Sequence, residues 1–221
     1  GFPDYTFLQE TYRPRSLEVA GVTSYHGAPD KYDFVANLTN PNARHLATVK
    51  YKFAYAGGET ALVETIILPG VSRPVAVFGN TMTSAPLAPR IVIEEVIWQR
   101  VDPHKVYDVA GYMRERLQLS AGEVKFTRAD PENGSPTHRI AFNLQNGSAY
   151  SFWEMNIYAE LIGSAGTVGY IPITVPRLKS LEERRIELGS LSNELTTVTE
   201  VRLVPVVNIF DKNIYMLPGE Q

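Results

Sequence analysis

The chain has 221 residues, 44% of them hydrophobic and 20% charged, with a formal net charge of −3. That balance suits a folded globular protein. It supplies neither the basic face of a nucleic-acid binder nor a polybasic patch for lipid. There is no cysteine, which excludes disulfides, thiolate-held metals and thiol catalysis, and no run approaches the ~20 apolar residues of a membrane-spanning helix.

The chain opens Gly1-Phe2-Pro3-Asp4 without an initiator Met or a signal peptide. A processed chain is therefore expected, with an anchor or targeting segment removed. Residues 1–15 read as an extended lead-in, and Leu17–Val22 as the first strand. Phe34–Asn40, FVANLTN, places Phe34, Ala36 and Leu38 on one face and Asn37 on the other. Asn40-Pro41-Asn42 then stops the strand, because proline lacks a ladder N–H and asparagine bonds its own backbone in turns.

Val49–Tyr55 alternates large apolar residues with Lys50, Lys52 and Ala54, the signature of a half-buried strand. A turn at Gly57-Gly58, an apolar run over Ala61–Leu68 ending at Pro69, and a strand over Pro74–Phe78 follow. A further apolar run contains Glu95-Val96 and Trp98, where Val96-Ile97-Trp98 breaks the alternation. Asp102-Pro103-His104-Lys105 is polar and turn-like.

Beyond it the same order returns. Leu119–Val124 matches Leu17–Val22. Ile140–Asn146, IAFNLQN, repeats Asn37, Leu38 and Asn40 as Asn143, Leu144 and Asn146. Trp153–Leu161 alternates like Val49–Tyr55, with Trp153 expected on the core face. Gly163 to Gly166 form the turn, Val168–Val175 the run that stops at Pro176, and Glu200-Val201 echoes Glu95-Val96. Leu178–Leu191 has some helical character, but the repeat register makes Glu183–Leu188 a strand. Internal similarity of this kind marks a tandem unit. The expected fold is all-β, two tandem immunoglobulin-like antiparallel β-sandwiches over residues 1–112 and 113–221, each with about seven short strands.

Tyr32-Asp33-Phe34 to Asn40-Pro41-Asn42, with Lys50-Tyr51-Lys52-Phe53 after it, resembles the YD-x-x-A-x-x-x-NPN and Y-x-F core of membrane-anchored proteins of candidate-phyla bacteria. The tail Pro205-Val206-Val207-Asn208-Ile209-Phe210-Asp211-Lys212-Asn213-Ile214-Tyr215 resembles the ending of that group. Both units are similar more broadly to FxLYD and late-embryogenesis type 2 sandwiches. The resemblance implies an exported, two-domain ectodomain on an N-terminal membrane helix. In the second unit the Asn-Pro-Asn element is reduced to Asn146-Gly147-Ser148.

The residues hold few signs of chemistry. His26, His45, His104 and His138 lie in expected loops or turns, without the spacing of a zinc site. There is no nucleophile elbow or phosphate loop. Asp30 with Asp33, Asp102 with Asp108, and Asp130 with Glu132 read as turn-forming carboxylates, since none has calcium-loop spacing. No catalytic residue, metal or cofactor is expected. Trp98, Tyr107 and Tyr112 are the candidate interaction surface, because exposed aromatics suit recognition. The expected function is a non-catalytic, extracytoplasmic structural or interaction module with a protein partner or self-assembly. A carbohydrate-binding module is the alternative.

Overall fold

A computed structural model of the chain describes residues 13–192 and 194–220. The first twelve residues of the expected lead-in lie outside them. Strands β1 (Glu18–Ala28), β2 (Lys31–Thr39), β3 (His45–Tyr55), β4 (Gly58–Glu59), β5 (Val63–Ile67), β6 (Ser72–Thr81) and β7 (Arg90–Arg100) come first. Helix α1 (Val109–Arg116) follows. The strands β8 (Leu119–Thr127), β9 (His138–Asn146), β10 (Phe152–Gly163), β11 (Gly166–Leu178), β12 (Glu183–Leu191) and β13 (Glu200–Pro205) complete the ladders.

All pairings are antiparallel, and they repeat. One sheet runs β1-β2-β6 and its counterpart β8-β9-β12. In the other, β3 carries β4 and β5 along one edge and β7 along the other, as β10 lies between β11 and β13. The fold is all-β and sandwich-type. The strand expected at Glu183–Leu188 is present, because Arg184, Ile186 and Leu188 pair with Leu144, Phe142 and Ile140.

Each pair of sheets encloses its own core. Phe34, Ala36 and Leu38 on β2 meet Ala47, Val49, Tyr51 and Phe53 on β3. Ile140, Phe142 and Leu144 on β9 meet Met155, Ile157, Ala159 and Leu161 on β10. The broken alternation at Val96-Ile97-Trp98 is a β-bulge: Lys50 pairs with Glu95 and Tyr51 with Ile93, leaving Glu94 as the extra residue. Ile91 and Ile93 before it, and Val96 and Trp98 after it, all face the core. Trp153 is not in the core as expected but 37% exposed. Phe152 takes the inward position instead, and Arg177, with φ of +49°, lies over the Trp153 ring at 5.1 Å.

The repeated asparagines explain how strands β2 and β9 end. Asn40 is fully buried. Its Nδ2 donates to the carbonyls of His45 (2.7 Å), Ile67 (3.2 Å) and Leu68 (3.2 Å), and its Oδ1 accepts from the Asn42 backbone N–H (3.0 Å) and Nδ2 (3.1 Å). Asn146, equally buried, donates to the carbonyls of Tyr150 and Lys179, both at 2.9 Å. Its Oδ1 accepts from the Ser148 N–H (3.1 Å) and Oγ (2.7 Å). Ser148 therefore does for Asn146 what Asn42 does for Asn40. The element that looks eroded in sequence keeps its hydrogen-bond pattern.

Helix α1 and the C-terminal tail form a joint. The Asp108 side chain caps α1 by accepting from the Gly111 N–H at 2.9 Å. Residue 112, the expected boundary, sits in the middle of this helix. Fully buried Ile209 packs with Leu46 and Leu68, against Tyr112, Met113 and Leu117. Tyr112 stacks on Phe210 at 5.4 Å. The Arg116 guanidinium lies between the rings of Tyr112 (3.3 Å) and Tyr150 (4.2 Å). The tail thus threads between strands of both halves of the chain.

Candidate functional site

Two surfaces stand out, one at this joint and one at the opposite end of the contact between the two halves. At the joint, Tyr107 is 92% exposed. Its loop is pinned, because the Arg44 guanidinium donates to the carbonyls of Val106 (2.9 Å) and Tyr107 (3.2 Å). Beside it is a depression of about 450 Å³ lined by Arg100, Asp102, Lys105, Tyr112, Phe210 and Lys212. Tyr107 precedes the Asp108 cap in the chain, and Tyr112 follows it on α1 and lines the depression. Trp98 does not join them: its ring packs against the first core and meets His45 edge-on at 6.4 Å. The faces of Tyr112 are occupied by Phe210 and Arg116.

Between the halves, the outward side of β1-β2-β6 meets the outward side of β10 and β11. Phe78 contacts Tyr158 edge-on at 5.2 Å, and Tyr25 meets Tyr170 at 5.7 Å and 70°. Val35 and Ala76 pair across β2 and β6 on this side and are nearly buried, although strand alternation turns them away from their own core. Buried Arg73 donates to Thr65 Oγ1 and to the Ile66 carbonyl, both at 2.6 Å. At the far end, His26 Nδ1 meets Glu194 Oε2 at 2.5 Å.

That end opens into a cleft of about 290 Å³, lined mainly by apolar groups. Tyr25, Asp33, Phe78, Leu161, Tyr170 and Leu195 form much of its wall. Asp33 is 8% exposed. Its Oδ1 accepts from the Gly79 N–H at 2.8 Å, and burial holds its carboxyl above the ordinary aspartate range. Burial also raises the Tyr25 and Tyr170 hydroxyls, Tyr170 to about 12, with the Glu160 carboxylate adding to both.

Comparison with protein-family models, curated proteins and solved structures finds no match for this chain.

Three of the four histidines are not the solvated loop residues expected from the sequence, whereas His104 is exposed in a turn as expected. His138 is buried at the start of β9, and its Nδ1 accepts from the Ala129 N–H at 2.7 Å. His26 lies on β1 and stacks on Tyr32 at 4.7 Å. His45 opens β3, and burial together with Arg100 lowers its pKa. His104 follows the turn expected, with its N–H bonded to Asp102 Oδ1. Asp130 and Asp108 do turn and cap work, accepting from Asn133 Nδ2 and capping α1, whereas Asp33, expected in a turn, is buried on β2. Among the described residues no cluster of three or more histidine and carboxylate side chains is arranged to hold a metal. No described helix is long and apolar enough to cross a membrane.

The cleft was not visible in the sequence. Asp33 and Tyr25 lie on one hairpin and Tyr170 lies 145 positions after Tyr25 (170 − 25). Only the packing of the halves brings them together.

Proposed function

We propose that this chain is a non-catalytic structural and interaction module, carried on the outside of a cell membrane, that contacts protein neighbours or further copies of itself. The single observation that carries the reading is the joint. Ile209, Phe210, α1 and Arg116 tie the two halves side by side, so the chain presents a preset surface rather than a flexible pair. An exposed tyrosine on a pinned loop beside that joint suits protein contact, since tyrosine supplies area at little entropic cost. The buried polar groups support a non-catalytic role. Asn40, Asn146, Arg73 and His138 are all engaged in holding backbone or neighbouring side chains. The extracytoplasmic placement rests on the resemblance of the Tyr32–Asn42 and Pro205–Tyr215 segments.

Sugar binding needs a flat exposed aromatic platform. Trp98 faces the core and both sides of Tyr112 are covered, so protein contact is the better-supported reading. In-envelope crosslinking of the intact protein from a photoreactive residue at position 107 tests it. The expected result is a defined protein adduct or a self-adduct, lost on moving the crosslinker to position 154. Absence of any adduct from position 107 would overturn the proposal.

A further inference from the structure

The cleft between the halves has a polarity that its structural role does not explain. Asp33 Oδ1 is satisfied by Gly79, but among the described residues no donor reaches Oδ2. That oxygen is not sealed in protein, because Asp33 lines the cleft. Gly27 keeps it open: a Cβ there would lie 2.5 Å from Oδ2. A carboxylate with so little exposure is normally matched by a cation. The nearby basic side chains have hydrogen-bond partners other than Oδ2, although Lys31 also lines the cleft. Lys31 Nζ donates to Thr81 Oγ1, His26 pairs with Glu194, and Arg202 meets Glu160 Oε2 at 3.2 Å.

The remaining walls suit positive charge with apolar substituents. Tyr25, Phe78 and Tyr170 present rings, whose faces attract cations. Leu161, Pro172 and Leu195 provide apolar contact. The nearly buried Glu160 carboxylate lies close enough to push both tyrosine hydroxyls upward, which adds a second carboxylate near the rings. The volume of about 290 Å³ falls at the lower end of small-molecule sites, ~300–1,000 Å³.

We propose that this cleft binds a small organic cation of the alkylated ammonium class, with its charge over the Asp33 carboxylate and its alkyl groups against Tyr25, Phe78 and Tyr170. The site is independent of any partner at Tyr107, on the far side of the interface.

Calorimetric titration of the whole chain with choline tests the proposal. Two isosteres serve as controls: the neutral alcohol with a tert-butyl group in place of trimethylammonium, and a carboxylate bearing the same tert-butyl group. Choline is expected to bind saturably, and the neutral isostere about ten-fold more weakly or worse. Asp33→Asn preserves shape and the Gly79 bond, and is expected to weaken choline by about ten-fold. Tyr170→Leu, which keeps apolar bulk without a ring face, is expected to weaken it similarly. Native near-ultraviolet dichroism for each variant separates lost binding from lost folding. Absence of saturable choline binding, equal binding of the neutral isostere, preferred binding of the carboxylate through Lys31, or an unchanged affinity in both folded variants would overturn the proposal.

Discussion

Replacing Asn40 with alanine removes the side chain that closes the first sandwich. Its amide serves the carbonyls of His45, Ile67 and Leu68, and its oxygen holds the N–H of Asn42. The carbonyls of Ile67 and Leu68 lie inside the fold, so water does not replace the lost donor. Each buried group left unpaired costs ~1–3 kcal/mol. Two such groups give a destabilisation of about 3–4 kcal/mol, a large share of ordinary domain stability. For a chain of this length the midpoint should fall by roughly 10 °C. Asn40→Asp is expected to do at least as much harm at neutral pH, because a carboxylate oxygen would then face carbonyl oxygens. Urea and thermal unfolding followed by far-ultraviolet dichroism measure both variants. Asn37→Ala is the control: Asn37 is on the wet face and bonds Ser72 Oγ, so its loss should stay within ~0.5 kcal/mol. A loss at Asn40 no greater than that at Asn37 would refute the reasoning.

Ile209→Ala empties a fully buried position in the joint and should cost ~2–5 kcal/mol. Amide exchange should accelerate first in α1 and the tail, and uniform acceleration would contradict a local joint. Burial raises the Asp33 carboxyl above its unfolded value, so its ionisation costs the folded state. Stability should be greatest below the ordinary aspartate pKa and fall as pH rises through the folded value. Asp33→Asn should match the parent near about pH 3 and exceed it near pH 7, and a parent-like pH slope in the variant would refute this. Tyr107→Ala should leave unfolding within ~0.5 kcal/mol of the parent while abolishing crosslinked or self-associated species. A changed melting curve would show that Tyr107 has a folding role instead.

The strands were legible because their alternation is local and the unit occurs twice. Asn37-Leu38-x-Asn40 and Asn143-Leu144-x-Asn146 fall on the central strands β2 and β9. Position 153 misled because the alternation is interrupted there: Trp153 and Glu154 are both exposed between buried Phe152 and Met155. Helix α1 was hidden by its short length and poor apolar periodicity. Its readable signal is Asp108, three residues before the Gly111 N–H that it caps. His26, His45 and His138 were misplaced because turn propensity says nothing of what packs over a turn. Of the nominated surface, Tyr107 is exposed, whereas Trp98 is turned inward by the bulge at Glu94. The cleft depends on how two separate sandwiches meet, which a one-dimensional pattern does not encode.

The bulge on β7 bears on solubility. Among the described residues β7 pairs only with β3, so they leave the outer edge of this eleven-residue strand, rich in isoleucine and valine, without a ladder partner. Such a rim is a template for fibril growth. Glu94 and Glu95 interrupt it at its centre, where the extra residue also spoils the spacing an incoming strand would need. Their outward charges are anchored by Lys52 and Lys50, at 3.2 Å and 3.3 Å. Replacing both glutamates with glutamine removes their charge from this rim and leaves the geometric half of the protection. The Glu94→Gln, Glu95→Gln double variant is therefore the one in which concentrated protein should first form β-rich aggregates, beginning at this strand.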